Sequence, residues 1–212
     1  SACIPIGLSG ALKIGASNLN LNTIYYQDNY FTRTDTADQT NFYFFNPYIE
    51  FAIDNLNRKK FPTKGSRFFA GFNYYLGNEH VIPGTTIAGV EEYRHNLELR
   101  VMTIHYEQDF KIFKPFILGT TADFSISNKP LLDNFVSSLL LASSYEPIPL
   151  METMFLENYR AYSYGGFGLK LIFELLKTLD LRFEGNYFIP YQKIQRGDED
   201  YSVMLSTPFS YQ

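Results

Sequence analysis

The 212-residue sequence holds no tryptophan, one cysteine and no run of 18 or more apolar residues. The lone Cys3 rules out an internal disulfide, so cysteine usage does not identify the redox compartment. Without a long apolar run there is no membrane-spanning helix. Charge is scarce, at 19% of residues against a usual quarter, and the net charge is −4. No basic stripe exists beyond Arg58-Lys59-Lys60, which reads as a solvated turn, so nucleic acid is not an expected partner. There is no phosphate-binding loop and no dinucleotide fingerprint. The chain opens at Ser1 without a Met-led charged segment, which makes it a mature, trimmed or partial chain in expectation.

What the sequence has in excess is aromatic side chains, 20 Phe and 17 Tyr, arranged with a period of two. Around Tyr93 to Glu107, Leu97, Leu99 and Val101 alternate with Asn96, Glu98 and Arg100. From Leu179 to Tyr187, Leu181 and Phe183 alternate with Arg182 and Glu184. Successive side chains of a strand point to opposite faces, so each such segment has one apolar and one polar face. The same pattern marks Tyr43–Asp54, Ser66–Tyr75, Phe113–Phe124 and Tyr164–Leu175, and more weakly Leu8–Ala16, Leu19–Gln27 and Tyr201–Thr207. This predicts about nine strands. Glu50, Arg67, Glu98, Arg100, Asp123, Arg182 and Glu184 are all assigned to the polar face.

Connections alternate between short and long. Short turns are expected near Ser17-Asn18, Leu56–Lys64, Asp109–Lys111 and Leu176–Thr178, and long loops at Asp28–Asn41, Gly77–Glu92, Ser125–Arg160 and Ile189–Asp200. Long loops on one side, short turns on the other and aromatic clusters at strand ends (Tyr25-Tyr26, Tyr74-Tyr75, Tyr187-Phe188) are the habit of outer-membrane barrels. A soluble β-sandwich, whose inner face also alternates, is the competing architecture. Within the loop over 125–160, Leu131, Leu132, Phe135, Val136, Leu139 and Leu140 recur at helical spacing, which predicts a short amphipathic helix after Pro130. That loop is read as a lid, plug or partner contact, or as a segment packed on the barrel mouth.

Catalytic and metal-binding constellations are missing. Gly7-Leu8-Ser9-Gly10-Ala11 lacks the second flanking glycine of a nucleophile elbow. His95 and His105 lie ten residues apart on one strand, about 33 Å when extended, and do not share a metal. No His/Cys/Asp cluster has zinc spacing. Glu91-Glu92 and Asp198-Glu199-Asp200 read as solvated loop carboxylates. Neither catalytic residues nor cofactors are expected in this chain.

The stretch "LNRKKFPTKGSRF" resembles the periplasmic hairpin of the BamA-type outer-membrane barrel superfamily, with Phe61, Pro62, Thr63 and Gly65 as its turn motif. The stretches "SNKPLLDNFVSSLLLASSYEPIPLMETMFLENYRA" and "RAYSYGGFGLK" resemble the C-terminal barrel of bacterial patatin-like phospholipases, a surface-antigen branch of that superfamily. The resemblance covers roughly residues 43–191. It implies a 16-stranded antiparallel transmembrane β-barrel in the outer membrane of a Gram-negative bacterium. This chain would supply about its sixth to fourteenth strands as a single domain over 1–212, incomplete at both ends. The loop at 125–160 would be the superfamily's extracellular loop that folds into the lumen, with Arg160 of Tyr159-Arg160-Ala161-Tyr162 docking on Glu184. Ala161 stands where the superfamily has glycine. Expected partners are outer-membrane lipid and an attached or exported lipid-hydrolase domain. The hydrolase's serine and aspartate motifs have no counterpart here. A stand-alone barrel that assembles or transports other molecules, or a soluble β-rich binding protein, are the alternatives.

Overall fold

The computed structural model describes residues 1–26, 32–85, 91–132, 135–176 and 179–197, and the backbone of 202–205. Eight strands form one antiparallel sheet in the order β1 (Ala2–Ile6), β2 (Gly10–Tyr25), β3 (Asp38–Asp54), β4 (Gly65–Ile82), β5 (Tyr93–Phe113), β6 (Phe116–Ser127), β9 (Tyr164–Leu176) and β10 (Leu179–Pro190). The protein is all-β, as the alternation implies, with one short α-helix among the described residues, α1 (Phe135–Leu141), close to the expected place. A second sheet, β12-β11-β8-β7, joins Ser143–Ser144 (β7) and Arg160–Ala161 (β8) to Lys193–Arg196 (β11) and Ser202–Leu205 (β12). The main sheet is open among the described residues, and β1 and β10 are its edges.

Several strands outrun their predicted limits. The two segments predicted at Leu8–Ala16 and Leu19–Gln27 are replaced by one strand over Gly10–Tyr25, and no turn occurs at Ser17-Asn18. Asp109–Lys111 lies inside β5, and the chain turns instead at Lys114-Pro115. β4 runs on to Ile82 through the predicted loop, and β3 already begins at Asp38. Ala2–Ile6 is a strand without a sequence forecast. Part of the expected turn at Leu176–Thr178, and Asp198–Asp200, lie outside the described residues.

The shortened readings of β2, β3 and β4 share one physical cause, which β5 also displays. Its odd positions face the long loop: Leu97, Leu99 and Val101 are buried there, and further along His105, Glu107 and Asp109 occupy the same face. Its even positions face away, with Arg94, Asn96, Glu98 and Arg100 followed by Met102, Ile104, Tyr106, Phe110 and Ile112. The alternation never breaks, but the two faces exchange character midway. β3 does the same: inner Phe42 and Phe44 give way to Glu50 and Asp54, while outer Gln39 and Asn41 give way to Tyr43 through Ile53. β2 and β4 follow suit, with outer Asn18, Asn20 and Asn22 beyond Ile14, and outer Asn78 and His80 beyond Phe72 and Leu76. A reading that requires one face to stay apolar ends β2, β3 and β4 near the exchange. Glu98 and Arg100 are therefore corrected to the outer face, whereas Glu50, Arg67, Asp123, Arg182 and Glu184 share the inner one.

The loop side of the inner face is filled by the segment between β6 and β9. Leu132 packs with Phe42, Phe44, Leu97 and Leu99 of the wall. Phe135 and Leu139 of α1 pack with Ala142, Tyr162 and Ile194 of the second sheet's segments. At about 1.5–3 kcal/mol per buried large apolar side chain, the first cluster helps to seat the loop on the wall, and the second holds α1 to the segments around β8 and β11.

Candidate functional site

The other half of the inner face, toward the short turns, carries a ladder of charge across six strands. Arg67 on β4 pairs with Asp54 on β3 at 3.1 Å and approaches Glu107 on β5 at 3.9 Å. Lys170 on β9 reaches Glu107 at 2.5 Å, and both side chains are only 8% exposed. His105 meets Asp123 on β6 at 2.5 Å, and Arg182 pairs with Glu184 on β10 at 3.5 Å. The register explains the order: Arg67, Glu107 and Thr121 are successive cross-strand neighbours, and Lys170 stands opposite Glu184. A hydrogen-bonded network of this kind holds its charges only while its members stay paired.

The turn between β3 and β4 folds over the end of this ladder. Asn57 organises it: its Oδ1 accepts from the Thr63 and Lys64 amides at 3.0 and 3.2 Å, and its Nδ2 donates to Thr63 Oγ1 at 3.0 Å. Gly65 has φ 112°, a conformation that only glycine adopts without strain, and Thr63 is buried. Pro62 contributes its carbonyl, which accepts from Arg182 at 2.6 Å, and Arg182 also lies over the Phe61 ring at 5.2 Å. Arg58 pairs with Asp180 at 3.4 Å. β4 and β10 are four positions apart in the sheet, roughly 19 Å if flat, so the turn reaches β10 because the inner face is concave. Asn57 and the grip on β10 escaped the sequence reading, which registered the motif but not what its carbonyl faces.

Turn and loop border a half-open cavity of about 450 Å³ between them. Lys59, Lys60, Phe61 and Pro62 form one end, Glu146, Pro147, Pro149 and Glu152 the other, and the ladder residues Arg67, His105, Glu107, Lys170, Arg182 and Glu184 the wall.

The structure does not bring Arg160 and Glu184 together. Arg160 donates to the Ala142 carbonyl at 3.2 Å and its guanidinium lies 4.4 Å from the Phe155 ring centre, because β8 pairing with Ser143 and Lys193 holds it within the loop's own sheet. Burial lowers its pKa, which nearby Glu146 partly offsets. The contact that pins the loop is aromatic. Tyr145, 1% exposed, stacks on Phe188 of β10 at 5.3 Å and meets Tyr164 of β9 at 5.8 Å. It lies directly on the backbone of Gly166, where a β-carbon would stand 2.7 Å from its Cζ. Ser144 accepts at its carbonyl from the Tyr164 hydroxyl at 2.8 Å. Burial pushes the phenols of Tyr145 and Tyr162 up to about 12, and it pulls Lys129 down to about 8, with Arg160 adding to that shift.

Of the three histidines, His105 belongs to the ladder, while His80 pairs with Glu92 at 2.6 Å at the loop end. Among the described residues no group of three or more His, Cys, Asp or Glu has the arrangement to hold a metal ion, and no helix is long and apolar enough to cross a membrane. Comparison with protein-family models, with curated proteins and with solved structures gave no match to this chain.

Proposed function

We propose that this chain is a stretch of the wall of a transmembrane β-barrel in a bacterial outer membrane, with the segment between β6 and β9 plugging its lumen. The barrel anchors, or helps to export, an attached lipid-hydrolase domain. The observation that carries the barrel reading is the exchange of faces along β2 to β5. A soluble sheet keeps one face apolar along its whole length. A wall that leaves lipid partway up needs an apolar outer band, then a polar outer face in water, and the reverse inside.

The dimensions suit this reading. Outer apolar positions run from Tyr43 to Ile53 on β3 and, interrupted by Gln108, from Met102 to Ile112 on β5. Ten residues at about 3.3 Å, tilted by about 40°, give a band about 25 Å tall, the height of such bands in outer-membrane barrels. The band is exposed: Leu169 is 62% and Phe183 62% accessible. The second sheet lies against the inner side with α1, so no described element covers the band. Tyr74, beside Arg100 at the boundary, fits an interfacial aromatic. Open edges are not tolerated in lipid, so β1 and β10 require further strands as partners. The hydrolase part of the proposal rests on the resemblance of residues 127–161 to the patatin-type barrels.

Single cysteines placed at Phe72, Leu171 and Asn96 in a Cys3→Ser background test the topology. On intact cells a membrane-impermeant maleimide should modify Asn96→Cys, and it should reach Phe72→Cys and Leu171→Cys only after denaturation. Equal labelling at all three, with the protein in the soluble fraction, would sink the barrel. A membrane-extracted protein with no activity on phospholipid would remove the hydrolase while leaving the barrel standing.

A further inference from the structure

We propose that the loop-end half of the inner face is a binding site for an amphiphile with one acyl chain and a single anionic head, and that Lys129 receives the head. A second cavity of about 450 Å³ lies there, between β2–β5 and residues 140–143. Its walls are mostly apolar, from Leu19, Leu21, Phe44, Leu99 and Leu141. The volume falls within the range of small-ligand sites, about 300–1,000 Å³, and so does the plan of an apolar chamber with a few placed polar groups.

Lys129 stands at this chamber's edge. Its ammonium donates to the Leu141 carbonyl at the end of α1 and lies 6.0 Å from the Tyr162 ring centre. An ammonium has three donors, and the carbonyl takes one. Among the described residues no carboxylate pairs with Lys129, and the charged group that influences it is another cation, Arg160. A partly buried cation that faces another cation is held at a cost, whereas a ligand's anion would supply both charge and acceptors. In the other cavity the wall cations Lys170, Arg67 and Arg182 already have carboxylates, and Lys59 and Lys60 of the turn are exposed to solvent. One cation without a carboxylate partner among the described residues, beside an apolar chamber, selects one anionic head on one chain. A fatty-acid carboxylate and a lysophospholipid phosphodiester share that chemistry. The site does not depend on an attached hydrolase or on the barrel being closed.

The test is photocrosslinking on the full-length protein in its native membranes. The probes are diazirine-bearing palmitate, lysophosphatidylglycerol and hexadecanol. At least one anionic probe should crosslink to residues 97–101 and 140–143, and which one does so identifies the head. Lys129→Gln should lower that yield about tenfold or more, the loss of one charge-assisted hydrogen bond, and leave hexadecanol labelling unchanged. Lys64→Gln, on the turn, should have no effect. Leu21→Trp, which fills the chamber and keeps Lys129, should abolish inner labelling, and it decides the matter if Lys129→Gln fails to fold. Crosslinks confined to outer positions such as Phe167 and Leu169, or equal yields in wild type and Lys129→Gln, would overturn the proposal.

Discussion

Replacing Gly166 with alanine should detach the 143–163 segment from the wall. The new β-carbon would stand 2.7 Å from Tyr145 Cζ and 2.8 Å from Cδ2. The Tyr145 ring cannot simply swing aside, because Phe188, Tyr164 and Tyr159 surround it at 5.3, 5.8 and 6.5 Å and it is 1% exposed. Overpacking a filled site costs about 1–3 kcal/mol, and each aromatic pair lost costs about 0.5–1.5 kcal/mol. A displaced ring that keeps some of its contacts therefore costs about 2–3 kcal/mol in loop docking, roughly a hundredfold in the docking equilibrium at about 1.4 kcal/mol per decade. Protease cleavage within 146–157, measured where opening is fast and cleavage slow, reports that population directly. In a Tyr145→Ala background the same Gly166→Ala change should have almost no effect, because the obstructed ring is gone. Unchanged cleavage in Gly166→Ala, or two effects that simply add, would refute the account. Glu184→Gln should leave cleavage unchanged, since the loop arginine is held by Ala142 and Phe155 instead.

Lys170→Met strands the Glu107 carboxylate on the inner wall with only the longer Arg67 and His105 approaches, and should destabilise the fold by about 3 kcal/mol in denaturant titration. Adding Glu107→Leu should restore most of the loss. Loop docking should depend on pH with a maximum near 10. Lys129, lowered to about 8 from 10.5, binds fewer protons folded than unfolded between those values, so docking strengthens as pH rises through that window. Tyr145 and Tyr162, raised to about 12 from 10.0, keep protons that the undocked segment loses, so docking weakens above pH 10. Cleavage normalised to a free peptide at each pH measures both limbs, and Lys129→Met should erase the lower one. Asn57→Ala removes three hydrogen bonds within the turn and should cost about 1–3 kcal/mol, read as earlier thermal unfolding.

The strand class was legible because period-two alternation is a local property, and α1 was legible because Phe135, Val136 and Leu139 keep helical spacing. The strand limits were not, since β2 to β5 change which face is apolar without changing period. Asn18, Asn20 and Asn22 look like turn residues until Leu19 and Leu21 are seen to line the cavity on the opposite side. The same blindness put Glu98 and Arg100 on the wrong face. The candidate site was half visible. Arg67, Asp123, Arg182 and Glu184 stood out as charges within strands, and the turn motif from Phe61 to Gly65 stood out by composition. Glu107 and Lys170, the most buried pair, did not, because no local pattern says that β5 and β9 lie two strands apart on one concave wall. Tyr145 was hidden for the same reason: its partner is a glycine, and a glycine gives no hint of the ring that rests on it.

The grip of the β3–β4 turn on Arg182 spans 120 residues of chain, and it depends on the intervening ladders of β5, β6 and β9 being in register. A one-residue slip in any of them would shift β10 by about 3.3 Å and turn Arg182 to the opposite face. The Pro62 carbonyl and the Phe61 ring would then have nothing to hold. The turn thus acts as a register gauge for the wall: it fastens only when every strand between has been laid down correctly, and a mispaired wall stays unfastened.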